Sequence, residues 1–229
     1  MNNTPSRSKR APKTQAERSD STQRRIVESA MKLIYKEGFQ KANLQNIAQG
    51  AKVTLGALQH HFGNRQALME RVVNDVMAPL GDHGAVWPDA SLPLDQRARE
   101  FVQKAWENIY GPPSYVAAWA LFFGCKATVA LFKRIDARRA ADDPIFFARF
   151  LELFPEIGKH HKHPEAFAAM VFATLRGIAV FKLFSVSAES VEQQLACLAD
   201  LISMSGAPAT SRNEPSAARG RSTHAVRGA

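Results

Sequence analysis

Cysteine is scarce in this chain: two among 229 residues, Cys125 and Cys197, far apart within apolar stretches and outside any CxxC or Cys/His pattern. That excludes a disulfide-stapled scaffold and a thiolate metal centre, and the expected state of both is a buried free thiol in a reducing compartment. A long apolar run is also missing. The most apolar stretch, 166–186, is broken by Arg176 and Lys182, so its longest uninterrupted apolar run falls far short of the roughly 20 residues that a membrane span requires. The basic N-terminus lacks the apolar core of a secretory signal, so the expectation is a cytoplasmic protein. Absent too are a Gly-rich phosphate loop, a Ser/His/Asp set, a metal-ligand spacing and a cofactor motif, which points away from an enzyme and from any cofactor or metal. No segment alternates with a period of two for long enough to make a strand.

What is present is positive charge, unevenly placed. The net charge is +9. Residues 1–79 hold 13 Lys/Arg against 6 Asp/Glu, residues 80–205 hold 13 against 14, and residues 206–229 hold 4 against 1. A basic first third beside a neutral middle suits one segment that meets a polyanion and another with a different task. Hydrophobic residues make up 45% and charged residues 22%, an ordinary globular balance that leaves room for a core.

The ends differ from the body. Residues 1–20 are rich in Ser, Thr, Asn, Pro, Lys and Arg without apolar periodicity, and residues 206–229 are similar. Both are expected to be disordered. Arg7, Lys9, Arg10, Lys13 and Arg18 form a basic arm that either reaches DNA or is an idle solvated tail.

Between the ends the apolar spacing is helical throughout. A first helix is expected from near Ser21 or Thr22, with Ile26, Ala30, Leu33 and Ile34 on one face and Gly38 as terminator. Asn43 caps a short second helix, Thr54 a third running to about Phe62, and Asn64 a fourth carrying Leu68, Val72, Val73 and Val76. A loop rich in Gly, Pro and Asp, 81–93, marks a domain boundary. Five further helices are expected over about 94–110, 114–135 (either continuous or broken), 144–160, 164–186 and 190–204. The fold class is all-α: residues 21–80 as a three-helix DNA-binding domain continued by a fourth helix, and residues 81–205 as a second helical domain.

Two short helices joined by a tight turn, the second opened by a hydroxyl cap, make a helix-turn-helix, whose second helix enters the major groove. Here it is 43–51, then Lys52-Val53, then 54–61. The sequence at this point resembles the tetracycline-repressor (TetR) family. The matching residues are Ile26, Ala30, Leu33 and Gly38-Phe39, then Ile47-Ala48, Ala51, Val53-Thr54 and Gly56-Ala57-Leu58. They continue through His60-His61-Phe62, Asn64-Arg65 and Ala67-Leu68, about 45 residues with the spacing intact. Further on, only Leu175-Arg176-Gly177-Ile178-Ala179 and the helix count look like the family.

By position, the resemblance implies that Thr54, Leu55 and Gly56 open the recognition helix against the bases, with Gln59 one turn on. It also implies that Asn43, His60, His61 and Arg65 contact phosphates. Gln59 departs from a frequent tyrosine, Lys52 from the usual turn glycine, and Ala42 from a threonine. The amide of Gln59 has the chemistry to read adenine at two points. His60 and His61, adjacent on a helix, point about 100° apart and suit phosphate contact or core packing better than a shared metal.

The second domain is dense in aromatics at helical spacing, most of them core. The family resemblance implies an effector cavity there, for which Trp106, Trp119, Phe123 and Phe150 are the candidate wall residues. His160, His161 and His163 fall at a helix end, where cations complement the dipole. The helix 164–186 is apolar nearly all round, and Val191, Leu195, Leu198 and Ile202 form a stripe on the last helix. With the resemblance, these imply a four-helix homodimer interface. Arg176, within the apolar helix, requires a carbonyl or an acidic partner. The expected function is a dimeric regulator, a repressor released from a palindromic operator by a small effector. The other reading is an effector-independent architectural or cell-cycle factor of the same fold.

Overall fold

Thr14 starts the chain's first helix by a reciprocal cap. Its Oγ1 accepts the Glu17 N–H at 3.2 Å, and the Glu17 carboxylate accepts the Thr14 N–H at 2.8 Å. Such a capping box contributes about 1 kcal/mol. The computed structural model describes residues 14–81, 84–184 and 186–208. Helix α1 (Gln15–Glu37) therefore begins six residues before the expected Ser21, and Arg18 belongs to it. Arg7, Lys9, Arg10 and Lys13 of the basic arm, and the tail from 209, lie outside the described residues.

The next three helices form where their caps place them: α2 (Leu44–Ala51), α3 (Leu55–Phe62) and α4 (Arg65–Met77). Asn43, Thr54 and Asn64 each accept a backbone N–H three residues on, at 2.9, 3.1 and 2.9 Å. Gly38 ends α1 at φ 83°, a conformation that favours glycine.

Beyond the loop come α5 (Leu94–Ala105), closing in a π-helical turn to Tyr110, and α6 (Pro113–Gly124). They are followed by α7 (Val129–Leu153), α8 (Pro155–His160), α9 (Pro164–Phe181) and α10 (Ala188–Gly206). The described residues contain helices and turns and no strand. A turn at Cys125–Thr128 divides the stretch 114–135, one of the two forms expected of it. Two boundaries differ from expectation. The helix expected over 164–186 ends at Phe181. Pro144 lies inside α7 rather than starting a helix. Its missing N–H breaks one ladder bond, while Leu131 and Ile135 before it and Phe150 and Leu153 after it are all buried, so packing carries the helix through.

The hydrophobic interior has two centres, and neither respects a boundary at residue 80. One gathers α1–α4 but also takes Ala117, Leu121 and Cys125 from α6 and Leu131 and Ile135 from α7. The other is aromatic. Phe101 meets Phe150, Phe154 and Phe172 edge-on at 5.3, 5.8 and 6.0 Å between centroids, each such pair adding about 1 kcal/mol to area burial. Helix α6 thus ties the first four helices to the rest.

Helix α9 is long and apolar enough, by composition, to reach across a bilayer. Its Phe167, Ala168, Val171, Phe172, Leu175 and Ala179 are instead buried in the core, so packing accounts for its hydropathy. The stripe expected at a subunit interface also turns inward: Val191, Leu198 and Ile202 are buried and Leu195 packs against the core. The outward face carries Met170, Leu201 and Met204 instead, with Thr174 and Cys197 beside a shallow groove. Cys197, expected to be buried, is exposed; Cys125 is buried as expected.

Candidate functional site

The turn between α2 and α3 is built by backbone geometry and held from α1. Lys52 caps α2 at φ 55°, ψ 46°, the left-handed region that costs an L side chain about 1 kcal/mol. It is the one non-glycine residue with positive φ among the described residues. Arg25 of α1 donates to the carbonyls of Ala51 and Lys52. Ser29 donates to the Ile47 carbonyl at 2.9 Å. These two residues fix the angle of the helix pair, and the sequence reading missed both. Their signal was one turn of spacing on a helix whose apolar face is already fixed.

Helix α3 is anchored by Leu58, which is fully buried, and by the partly buried Phe62. Its other side is open: Thr54, Leu55, Gly56, Gln59 and His60 are exposed, and His61 is half-buried. Leu55 is an apolar side chain 40% exposed at the first position of the helix. A Cβ added at Gly56 would meet nothing within 4 Å, so the chain's own packing does not require glycine there. Eight residues of helix span about 12 Å, the width of the DNA major groove. The Thr54 hydroxyl and the Asn43 amide accept capping bonds with their oxygens, which leaves the Thr54 O–H and the Asn43 N–H groups to donate outward.

Asn43, Thr54, Leu55, Gly56, Gln59 and His60 are all exposed on this helix pair. Arg65 differs. Its guanidinium donates to the carbonyls of Phe39 and Ala42 and lies 4.0 Å over the Phe39 ring. It holds the entry to α2 through these bonds. His60 and His61 stack edge-on, 5.6 Å apart. No group of three His, Cys, Asp or Glu among the described residues is placed to hold a metal.

A cavity of about 120 Å³ opens between α4, α6, α7 and α9. Met77, Tyr115, Trp119, Phe122 and Phe146 make its apolar wall, while Arg138, Arg139, Asp142, Asp143 and Arg176 make its polar side. Of the four wall residues expected from sequence, Trp119 alone lines it. Phe150 is fully buried in the aromatic core, and Phe123 is 63% exposed, its ring 5.3 Å from that of Trp119. Trp106 sits apart under the Lys182 ammonium, which is 5.3 Å from its ring and bonded to the Gly111 carbonyl. Helical spacing shows that a residue faces inward but not which side of a double-sided core it faces. Arg176, whose partner the sequence could not name, bonds the Phe172 carbonyl at 3.2 Å and lies 3.8 Å from Asp143.

Residues 26–72 match the profile of the bacterial regulatory proteins of the tetR family. The probable HTH-type transcriptional regulator ArpR of Pseudomonas putida is 33% identical over 79 residues, 34% of this chain and 37% of that protein. The matched stretch thus spans less than half the length of the curated relatives. Among solved structures, a transcriptional regulator from Rhodococcus sp. Rha1 superposes with a TM-score of 0.61 at 19% identity, covering 79% of this chain and 95% of that one. NalD of Pseudomonas aeruginosa, the secondary repressor of the MexAB-OprM multidrug efflux pump, gives 0.57 at 22% identity, covering 81% and 96%. These identities speak for a shared fold.

Proposed function

We propose that this chain, whose residues 26–72 match the profile of the bacterial regulatory proteins of the tetR family, is a homodimeric repressor, released from a palindromic DNA operator by a small-molecule effector. The observation that carries the reading is the open side of α3: a fully buried Leu58 beneath an exposed Thr54, Leu55, Gly56 and Gln59. A helix anchored on one side and open at its N-terminal turn is the form in which a major groove is read.

In this reading Thr54, Leu55, Gly56 and Gln59 meet base edges, while Asn43, His60 and His61 donate to phosphates. Arg65 supports them from behind. The dimer forms through the outward face of α9 and α10, where Met170 and Leu201 are exposed beside Cys197. It places two recognition helices about 34 Å apart, one turn of the duplex. The protein works where the chromosome is, in the cytoplasm. The 120 Å³ cavity touches α4 through Val73, Asn74 and Met77, and α4 begins three residues after the recognition helix ends. An effector there therefore pushes on the helix that sets the separation of the two heads, which favours the ligand-released regulator over the effector-independent factor.

Selection from a randomised duplex library with the full chain is the decisive test. The expected product is a palindrome with half-sites one helical turn apart, bound more weakly as salt rises. Recovery of no common sequence, with affinity the same for every duplex, would reject sequence-specific regulation.

A further inference from the structure

We infer that the cavity between α4, α6, α7 and α9 takes an uncharged compound with a single aromatic ring; this names the ligand class of the effector reading above and rests on it. Size sets the first limit. An apolar cavity of about 150 Å³ holds benzene, and about 120 Å³ beside Trp119, Phe122 and Phe146 is room for one ring rather than for a fused system. The wall is itself aromatic: Trp119 stands edge-on to Phe122, 5.6 Å between centroids. A further ring against such a wall gains from offset or edge packing beyond the area it buries.

Charge decides the rest, because every charged side chain of the lining already faces one of opposite sign. Arg138 bonds Asp142 at 2.6 Å. Arg139 bonds Asp143 at 2.8 Å and, through its Nε and Nη2, Asp136 at 3.1 and 2.9 Å. Arg176 is ion-paired with the same Asp143 at 3.8 Å, and its Nε bonds the Phe172 carbonyl. Three arginines thus meet three aspartates, in one isolated pair and one chain from Asp136 through Arg139 and Asp143 to Arg176. Among the described residues, no polar side-chain atom of the lining is buried without a hydrogen-bond partner.

Both charged classes fail for the same reason. A carboxylate has to draw an arginine off its aspartate, and an ammonium has to draw an aspartate off its arginine. Either exchange strands the displaced partner. Asp143 and Arg176 are only 20% and 23% exposed, and a charge left unpaired at such depth is costly. The aromatic wall adds no charge, since burial pushes the Tyr115 hydroxyl up to about 12 and keeps it neutral. An uncharged ring leaves every pair in place and removes its own apolar surface from water.

Titration calorimetry of the full chain with benzyl alcohol, benzoate and benzylamine at neutral pH tests the class by charge at constant ring size. Benzyl alcohol is expected to bind at least about tenfold more tightly than either ion. Asp143→Asn takes from Arg176 its one carboxylate while Arg139 keeps Asp136, so this variant should admit benzoate and still exclude benzylamine. Its retained binding of benzyl alcohol shows that it is folded. Arg176→Gln leaves Asp143 paired with Arg139 and should admit neither ion. Ala118→Phe, which fills the cavity, should remove binding of benzyl alcohol. If either ion binds the wild-type chain as tightly as benzyl alcohol, or if Asp143→Asn binds the alcohol and still refuses benzoate, the uncharged class is wrong and the cavity stands as a site. If no ring binds the wild-type chain, or if Ala118→Phe changes nothing, the cavity reading falls and the ligand class with it. Benzyl alcohol that binds as expected yet leaves affinity for the selected operator unchanged upholds the ligand class and removes the effector reading instead.

Discussion

Arg65 and Phe39 form a stacked, hydrogen-bonded clamp: the guanidinium carbon lies 4.0 Å from the ring centroid, and the same guanidinium donates to the Phe39 and Ala42 carbonyls. The clamp joins the start of α4 to the chain entering α2, across 26 residues of sequence. A Cβ built on Gly124 would come within 2.4 Å of the Phe39 Cβ, so α6 abuts the same side chain. Arg65→Ala should lower unfolding stability by about 2 kcal/mol, the sum of a cation–π contact and charge-assisted bonds. Arg65→Lys should recover little, because an ammonium cannot stack and fork together. Urea denaturation measures both. Stability equal to wild type with loss of DNA affinity alone would return Arg65 to the phosphate backbone.

Lys52 gives a prediction of opposite sign. Its φ of 55° strains an L residue, and glycine would remove about 1 kcal/mol of that strain. Lys52→Gly should raise the melting temperature and leave the operator preference alone, since Arg25 grips the backbone carbonyl of residue 52 and not its side chain. A lower melting temperature would mean that the lysine stem contributes packing that exceeds the strain.

The first four helices were legible because their signals are local. Asn43, Thr54 and Asn64 each bond within three residues, and the turn requires positive φ at one position. The start of α1 was legible too, in the Thr14 and Glu17 pair, but basic and polar neighbours outweighed a two-residue cap. The second domain failed where the answer depends on which of two inward sides a residue takes. Ile202 and Leu201 are adjacent, yet one is fully buried against the core and the other is 41% exposed. Phe150 and Phe146 lie one turn apart on α7, yet one fills the aromatic core and the other the cavity wall. Such distinctions are set by helix crossing angles, which sequence periodicity does not contain.

That same contrast separates folding from association. Met170→Glu with Leu201→Glu should give a folded monomer by sedimentation, with operator affinity lost, because both side chains are already exposed in the protomer. Ile202→Glu should instead unfold the chain, since it buries a charge without a partner. An unchanged dimer in the double variant would move the interface away from α9 and α10.

Gly56 tests close approach. A methyl group there meets nothing within 4 Å of the protein, and alanine improves helix propensity by up to about 1 kcal/mol. Gly56→Ala should therefore leave thermal stability equal or slightly higher while weakening operator binding, because the added methyl enters the space a base pair would occupy. Undiminished affinity in an anisotropy titration would place the DNA farther from the helix start.

Gln59 concerns which bases are read. It stands exposed one turn after Leu55 and next to the buried Leu58, so the anchoring of α3 also fixes the direction of its amide. An amide donates and accepts at once, and adenine offers an acceptor and a donor side by side in the major groove, a match worth roughly 1–3 kcal/mol against the wrong base. Leu55 can favour only a thymine methyl, and Gly56 has no side chain to choose with. Gln59→Ala should relax preference at one base pair of each half-site. It should leave the salt slope unchanged, because no phosphate contact is lost. Library selection with wild type and variant in parallel reads out the first effect, and affinity measured across a salt series reads out the second. Identical preferences at every position would show that the amide touches no base. A shallower salt slope would show instead that Gln59 touches the phosphate backbone.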